Sequence, residues 1–313
     1  MHHWPYTKGL HDLGNGIYAY LQPDGSWGLS NAGLITDGGR ALLVDTLFDL
    51  PLTREMLETM RQATPAARSI EVLVNTHSNG DHYFGNQLVE GAEIVSSLAC
   101  AEEMKEAPPG MLASLQKMAP EMGEVGTYFT HCFGAFKFDD ITPTLPTKTF
   151  EKRLDLKVGR KDVQLLEVGP AHTRGDVIVY VPEDRTLFAG DMLFIGGTPI
   201  MWAGPVANWI GACDLMLAMD LERIVPGHGP VTDKEGVRAI KGYFEYLAAE
   251  VRRRYDAGMT ADEAVADIDP GPYASWGDRE RIVINVHVLY RELRAESAPL
   301  NPIALFEAMA KYK

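Results

Sequence analysis

Three cysteines in 313 residues, Cys100, Cys132 and Cys213, are too few and too widely spaced for a disulfide framework or a C-x-x-C metal knuckle. They read as small buried apolar residues in a reducing compartment. No stretch approaches the roughly 18 uninterrupted apolar residues of a membrane span, so no membrane partner is expected. The opening residues, MHHWPYTKGLHDLG, lack an apolar core of signal-peptide length, which makes the cytoplasm the expected location. Basic residues are also short: 29 Lys+Arg face 43 Asp+Glu, a formal net charge of −14. That balance repels phosphate backbones and excludes nucleic acid as an expected partner. Solenoid-length periods and low-complexity tracts are missing too. What remains is an ordinary globular profile, 46% apolar and 23% charged, expected to act on a small molecule.

The first third alternates strand and turn. GIYAYLQ (16–22), NAGLIT (31–36) and RALLVDT (40–46) are short β-branched or aromatic runs separated by Gly, Asp and Asn. PLTREMLETMRQAT (51–64) carries Leu52, Met56, Leu57 and Met60 at helical spacing, with Pro51 suited to a first turn. SIEVLVNTH (69–77) predicts a buried strand, then a helix after Asp81 and a strand at 92–97. Residues 98–148, rich in Met, Pro and Gly, break the cadence and read as an insertion over a site. A second β series covers 154–159, 161–169, 176–183 and 186–191, followed by a helix at 206–219 and a strand at 222–229. The expected division is a catalytic domain over 1–235 and a helical extension over 236–313. In the extension, T-D-K-E (232–235) and T-A-D-E (260–263) both spell a capping box, a long helix covers 278–296, and Asn301-Pro302 starts the last one. INVHVLYREL (284–293) is amphipathic, and either covers the rest of the chain or pairs with a second copy in a homodimer.

Each turn after a strand deposits residues that can ligate a metal. NTHSNGDHYFGN (75–86) brings His77, Asn79, Asp81 and His82; G-P-A-H-T-R-G-D brings His172; A-G-D-M-L-F brings Asp191; P-G-H-G-P brings His228. RALLVDT adds Asp45 at its own strand end. Four of the nine histidines therefore sit at analogous strand-to-loop junctions, while His2, His3, His11, His131 and His287 are scattered.

This ordered series resembles the metallo-β-lactamase-fold superfamily, which includes glyoxalase II, lactonases and the lactamases. Thr76-His77-Ser78-Asn79-Gly80-Asp81-His82 matches the first motif, T-H-x-H-x-D-H, with Asn79 in place of a histidine. A-H-T at His172, G-D at Asp191, G-H at His228 and V-D-T at Asp45 match the rest, over about residues 14 to 230. The resemblance implies an α/β fold, an αββα sandwich with the site at one edge, here followed by the C-terminal helical extension. It also implies two metal positions. His77, Asn79 and His172 would line the first, Asp81, His82 and His228 the second, with Asp191 touching both.

Two imidazoles and two carboxylates at the second position suit zinc, while an amide at the first lowers affinity there. One tightly held zinc and a weak or absent second ion are expected, and iron or manganese accept the same ligands. The expected reaction is hydrolysis by metal-activated water of a small hydrophobic ester, lactone, thioester or activated aryl compound. Asp81 ligates and orients the water, Asn79 supplies an amide hydrogen to the substrate, and Asp45 supports a ligand imidazole. Tyr83, Phe84, Met192, Phe194, Met201, Trp202 and Trp209 flank the ligands and suggest an apolar pocket, with His131 a substrate-contact candidate. Three alternatives stay open: a hydrolytic dehalogenase, a mononuclear iron enzyme like the persulfide dioxygenases using His77, His172 and Asp191, and a non-catalytic metal-binding homologue.

Overall fold

The computed structural model describes residues 4–297 and 300–312; His2 and His3 lie outside the described residues. Seven strands form one sheet in chain order: β1 (Gly9–Gly14), β2 (Ile17–Leu21), β3 (Ala32–Asp37), β4 (Arg40–Val44), β5 (Val72–Val74), β6 (Glu93–Ser97) and β7 (Lys148–Phe150). The first four run antiparallel as hairpins, and from β4 onward each pairing is parallel. The second sheet has five strands: β8 (Arg153–Val158), β9 (Lys161–Glu167), β10 (Val177–Val181), β11 (Thr186–Phe194) and β12 (Arg223–His228). Only its β11–β12 pairing is parallel.

Period-two alternation decides what each sheet buries. On β4, Leu42 and Val44 point to the other sheet and meet Val163, Val179, Phe188 and Val225, while Ala41 and Leu43 point outward. The outward face is covered by α1 (Leu50–Ala63), whose Met56, Leu57 and Met60 carry the helical stripe read from the sequence. Asp49 caps this helix by accepting a hydrogen bond from Leu52 N at 2.9 Å. Gly33 on β3 permits the close packing of the two sheets, because a Cβ there would collide with the Phe188 ring of β11.

The loops after the strands carry the remaining helices. A four-residue turn, α2 (Gly80–Tyr83), follows β5. The 98–148 segment folds as α3 (Leu98–Glu103), α4 (Pro109–Met118) and α5 (Gly123–Phe133), knit together by an aromatic cluster of Phe48, Phe84, Phe129, Phe133, Phe136 and Phe138. The outer face of the second sheet is covered by α6 (Val206–Ala218), α7 (Lys234–Asp256), α8 (Ala261–Asp267) and α9 (Ile282–Leu293). The last helix, α10 (Pro302–Lys311), packs on α5 and α9. Helix layers therefore flank two facing sheets. Val288 and Leu289 of α9 are buried within this chain, and so is most of the apolar face expected to cover or to pair.

Several boundaries differ from those expected. The strand expected over 69–77 is only Val72–Val74, because Asn75 onward turns into the site. Thr260 forms the full capping box with Glu263, but Thr232 does not cap α7. Thr232 is still bridged to Ile224, and Asp233 takes the capping position instead. Residues 279–281 form a separate 3-10 turn before α9, so the expected 278–296 helix starts later.

Candidate metal centre

The four strand-end histidines converge. Each is turned toward the same point by a partner on its Nδ1. His82 Nδ1 lies 2.9 Å from Asp45 Oδ2, His172 Nδ1 2.6 Å from the Ile200 carbonyl, and His228 Nδ1 3.0 Å from the Gly25 carbonyl. His77 Nδ1 meets Thr76 Oγ1 at 3.0 Å. With Nδ1 occupied, Nε2 is the atom each ring presents. Asp45 holds more than one ring: its Oδ1 accepts from Thr76 N and its Oδ2 from Thr76 Oγ1, both at 2.7 Å. It adopts a left-handed conformation, φ +63°, that a short acidic side chain tolerates.

Asp191 stands at the centre. Its Oδ2 is 3.6 Å from His77 Nε2, 3.3 Å from His172 Nε2 and 3.4 Å from His228 Nε2, and its Oδ1 is 3.1 Å from His82 Nε2. Asp81 Oδ2 adds contacts of 3.3 Å to His228 and 3.8 Å to His82. The ligand-type atoms fall into two groups, His77–His172–Asp191 and Asp81–His82–His228, each within 4.8 Å of one another. All six residues are buried.

Two glycines let Asp191 in. A Cβ on Gly227 would press into Asp191 Oδ1, and one on Gly190, which sits at φ +50°, would crowd Thr76. The glycine before His228 is therefore required by the neighbouring carboxylate, not by its own backbone.

These residues fit a cation. His77 Nε2, His82 Nε2 and Asp191 Oδ1 are buried with no hydrogen-bond partner, although His82 and Asp191 lie close together. Burial of that kind costs free energy unless something charged sits between them. His172 gives a second sign. Burial lowers its pKa, so the ring is neutral, and a neutral ring donating from Nδ1 has a lone pair at Nε2. That lone pair faces Asn79 Oδ1 at 2.7 Å, and a cation turns both repelling atoms into ligands.

The electrostatics divide the histidines. Burial, with neighbouring His82 second, holds His77 well below the usual imidazole range. Burial also opposes charge on His228, but the carboxylates of Asp191 and Asp81 outweigh it and raise that pKa to about 9. Against the same opposition from burial, Asp191, Asp81 and Asp45 push His82 up. Burial works against the Asp191 carboxylate as well, yet His228, His82 and His77 hold it well below the usual range.

A pH effect follows for the chelator-treated protein. His228 has a folded pKa raised above its ordinary 6.5, so its contribution to stability is complete below about 6.5 and is lost as pH climbs through about 9. The melting temperature of the metal-free protein should fall across that window, and saturating zinc should remove the fall. A metal-free protein that gains stability from pH 6.5 to 9 would count against this charge assignment.

A cavity of about 480 Å³ opens over the ligands. Of the residues expected to form a pocket, Phe84, Phe194 and Trp202 line it, together with Asn79, Asp81, Asp191 and His228. Tyr83, Met192, Met201, Trp209 and His131 do not. Tyr83 is buried against the 98–148 helices and directs its hydroxyl at the Met104 carbonyl. Met192 and Met201 pack into the outer helix layer. Trp209 backs the site from the core side, with its ring centroid 6.0 Å from that of His172 and its Nε1 donating to the Met192 carbonyl. His131 is exposed on α5.

Other cavity walls had no local signal in the sequence. Trp27 and Phe48 come from early loops, Met111 and Phe133 from the 98–148 helices, and Arg281 and Phe306 from the C-terminal helices. Asp176 also escaped notice, although it ends the same G-P-A-H-T-R-G-D stretch. It accepts from Thr173 Oγ1 at 2.6 Å and from the amides of Thr173 and Ala171, which fixes the His172 turn. Burial raises its pKa to about 7.

Two facing sheets between helix layers, with a histidine–aspartate cluster gathered by the loops at one edge, define a class of metal-centred α/β sandwich. Comparison with known proteins narrows it. Residues 25–228 match the family model of the metallo-beta-lactamase superfamily, and the chain belongs to that superfamily. Its members are mostly hydrolases, and the fold normally binds divalent metals, commonly zinc. The chain is 24% identical over 277 residues to the beta-lactamase-like protein 2 homolog of Caenorhabditis elegans, covering 87% of this chain and 81% of that one. It is also 24% identical over 230 residues to an acyl-coenzyme A thioesterase of Gallus gallus, covering 69% and 78%. Among solved structures, the inverting sec-alkylsulfatase Pisa1 from Pseudomonas sp. superimposes with a TM-score of 0.67 at 17% identity. That superposition covers 94% of this chain and 52% of the sulfatase, so the chain spans about half the length of that enzyme. A metallo-beta-lactamase from Pontibacter korlensis gives 0.56 at 18% identity, over 76% and 99%. Among the described residues, no helix is long and apolar enough to cross a membrane.

Proposed function

We propose that the chain is a metal-dependent hydrolase acting on a small, uncharged, apolar ester, lactone, thioester or activated aryl compound. The observation that carries this reading is the convergence of four Nε2 atoms and two carboxylates at the floor of an apolar-walled cavity. A bound divalent ion supplies Lewis acidity that polarises a carbonyl and brings the pKa of a water toward about 7. His77, His172 and Asp191 would hold one ion, and Asp81, His82 and His228, with Asp191 between, the other. Asp81, which lines the cavity with its Oδ2 3.3 Å from His228 Nε2, is placed to orient the attacking water and to receive its proton. Asn79 reaches into the cavity with an amide whose oxygen serves the first position or whose NH2 donates to substrate.

The preference for an uncharged substrate has its own support. Glu103 and Glu106 line the cavity, bridged to Arg174 at 3.2 and 2.7 Å, and Arg281, which also lines it, is buried and paired with Asp278 at 3.1 Å. With a net charge of −14, this environment disfavours a polyanionic thioester such as the one named for the Gallus gallus relative. Dehalogenation of an aryl halide uses the same machinery. Detection of chloride release separates it from ester cleavage.

The intact His77–His172–Asp191 group favours a second reading, a mononuclear iron oxygenase, because two histidines and a carboxylate are the ligand set of that class. Elemental analysis of protein purified without added metal decides between them. About one zinc per chain, rising toward two in Asn79→His, is the expected result. Iron at one per chain moves the oxygenase reading to the front. Two zincs in the parent show that the Asn79 oxygen replaces the imidazole adequately, and a protein that takes up no metal removes both.

A further inference from the structure

We propose that the turn at residues 278–281 of the C-terminal extension is a positioning clasp for His228, and thereby sets the affinity of the metal position that His228 serves. The inference rests on the metal-centre reading and adds residues well outside the matched 25–228 span.

His228 is constrained on two sides, and both constraints lead to this turn. On one side its Nδ1 is tied to the Gly25 carbonyl. The next residue, Ser26, donates its hydroxyl to Asp278 Oδ1 at 2.6 Å, and Trp27 Nε1 donates to Glu280 Oε1 at 3.0 Å. Two side chains of the turn thus hold the loop that carries the Gly25 carbonyl. That loop has little freedom of its own, since a Cβ on Gly25 would crowd Tyr6 and the Gly229 backbone.

On the other side the His228 ring is stacked on Phe194, centroids 5.0 Å apart and planes 2° from parallel. The Arg281 guanidinium lies 5.4 Å from the Phe194 centroid and 4.4 Å over the Trp27 ring. Arg281 is 2% exposed. Its Nη2 pairs with Asp278 Oδ2, its Nη1 donates to the Thr198 carbonyl at 3.2 Å, and its Nε has no hydrogen-bond partner. A buried cation held by two ring faces is costly to place for packing alone, and a planar guanidinium suits that position better than an ammonium. Glu280 Oε1 also accepts from Tyr128 Oη at 3.0 Å, which anchors the turn to α5. Neither route runs through His77, and His172 meets them only at the edge of Phe194, 5.8 Å away; Asp191, 3.4 Å from His228, is shared by both positions. The effect should therefore be confined largely to one metal position.

The test is a cobalt(II) titration of the full chain, followed by the visible d–d bands and by competition with a chromophoric chelator. Each binding step is assigned by its loss in His77→Ala or His228→Ala. Arg281→Met should weaken the His228-dependent step about 10- to 100-fold, the usual cost of removing a residue that orients a ligand. It should also shift the bands of that step and leave the other within about threefold. Arg281→Lys should fall between Met and the parent. Val251→Ala, which opens a cavity on α7 and leaves the 278–281 turn and its contacts in place, should lower the melting temperature while leaving both steps unchanged. Equal affinity in Arg281→Met and the parent overturns the clasp. A loss of the same size in Val251→Ala also overturns it, since general stability then explains the effect. A parent chain that binds no cobalt defeats the metal-centre reading itself, a different and recognisable failure.

Discussion

Asp191→Ala should empty both metal positions and lower hydrolysis at least about 10,000-fold, because the acceleration to be lost in such enzymes starts near a millionfold. The carboxylate lies within 3.6 Å of all four Nε2 atoms. Without it the first position keeps two imidazoles and the Asn79 amide, and the second keeps Asp81 as its only anion. The variant also changes the protonation of the rings. Asp191 is the leading carboxylate raising His82 and His228 against the opposition of burial, so both lose much of their reason to hold protons. The variant should fold, because the rings remain tied through Nδ1. Metal content and turnover of a neutral aryl ester, measured on the same preparation, decide the matter. Half the parent's metal with activity within tenfold would falsify the central role given to this residue.

Gly227→Ala should damage the site almost as severely by a different route. The alanine methyl has to occupy space that holds Asp191 Oδ1, with the Gly190 backbone close behind, so neither neighbour is the free end of a flexible chain. Either β12 moves away from β11 or the carboxylate turns out of the cluster. Overpacking of this kind costs about 1–3 kcal/mol. We expect a lower melting temperature together with a loss of metal at both positions, read by elemental analysis and thermal melts. Ordinary stability with full metal content would show that the sheet edge yields more readily than the packing implies.

The ligands were legible because each is announced by its own few residues. A histidine or aspartate beside glycine at the end of a strand is a local pattern, and the sheets then have only to bring the strand ends to one edge. The cavity was not legible, for the opposite reason. Met192 and Trp209 lie close in sequence to ligands or to their loops, yet both pack into the layer between the second sheet and its helices. Trp27, Phe133, Arg281 and Phe306 face the ligands but are far from them along the chain, and their approach depends on how the helices after residue 98 and after residue 235 dock. Boundaries failed where a tertiary pairing won over a local preference. Thr232 has the spelling of a cap, but its backbone is committed to Ile224, so Asp233 takes over. The strand Gly9–Gly14 was missed because its inward positions include only one fully buried apolar residue, Leu13.

The partners of the ring nitrogens also bear on how this centre tolerates genetic change. His172 and His228 are aimed by main-chain carbonyls, those of Ile200 and Gly25, which every amino acid carries. Substitution at position 200 leaves an acceptor in place, and drift there need not disturb the ring. His82 depends instead on a single side chain, Asp45, which also fixes the Thr76 turn leading into His77. A ring partner supplied by a side chain is thus more fragile than one supplied by the main chain, and a saturation scan should show 45 as intolerant while 200 accepts many residues.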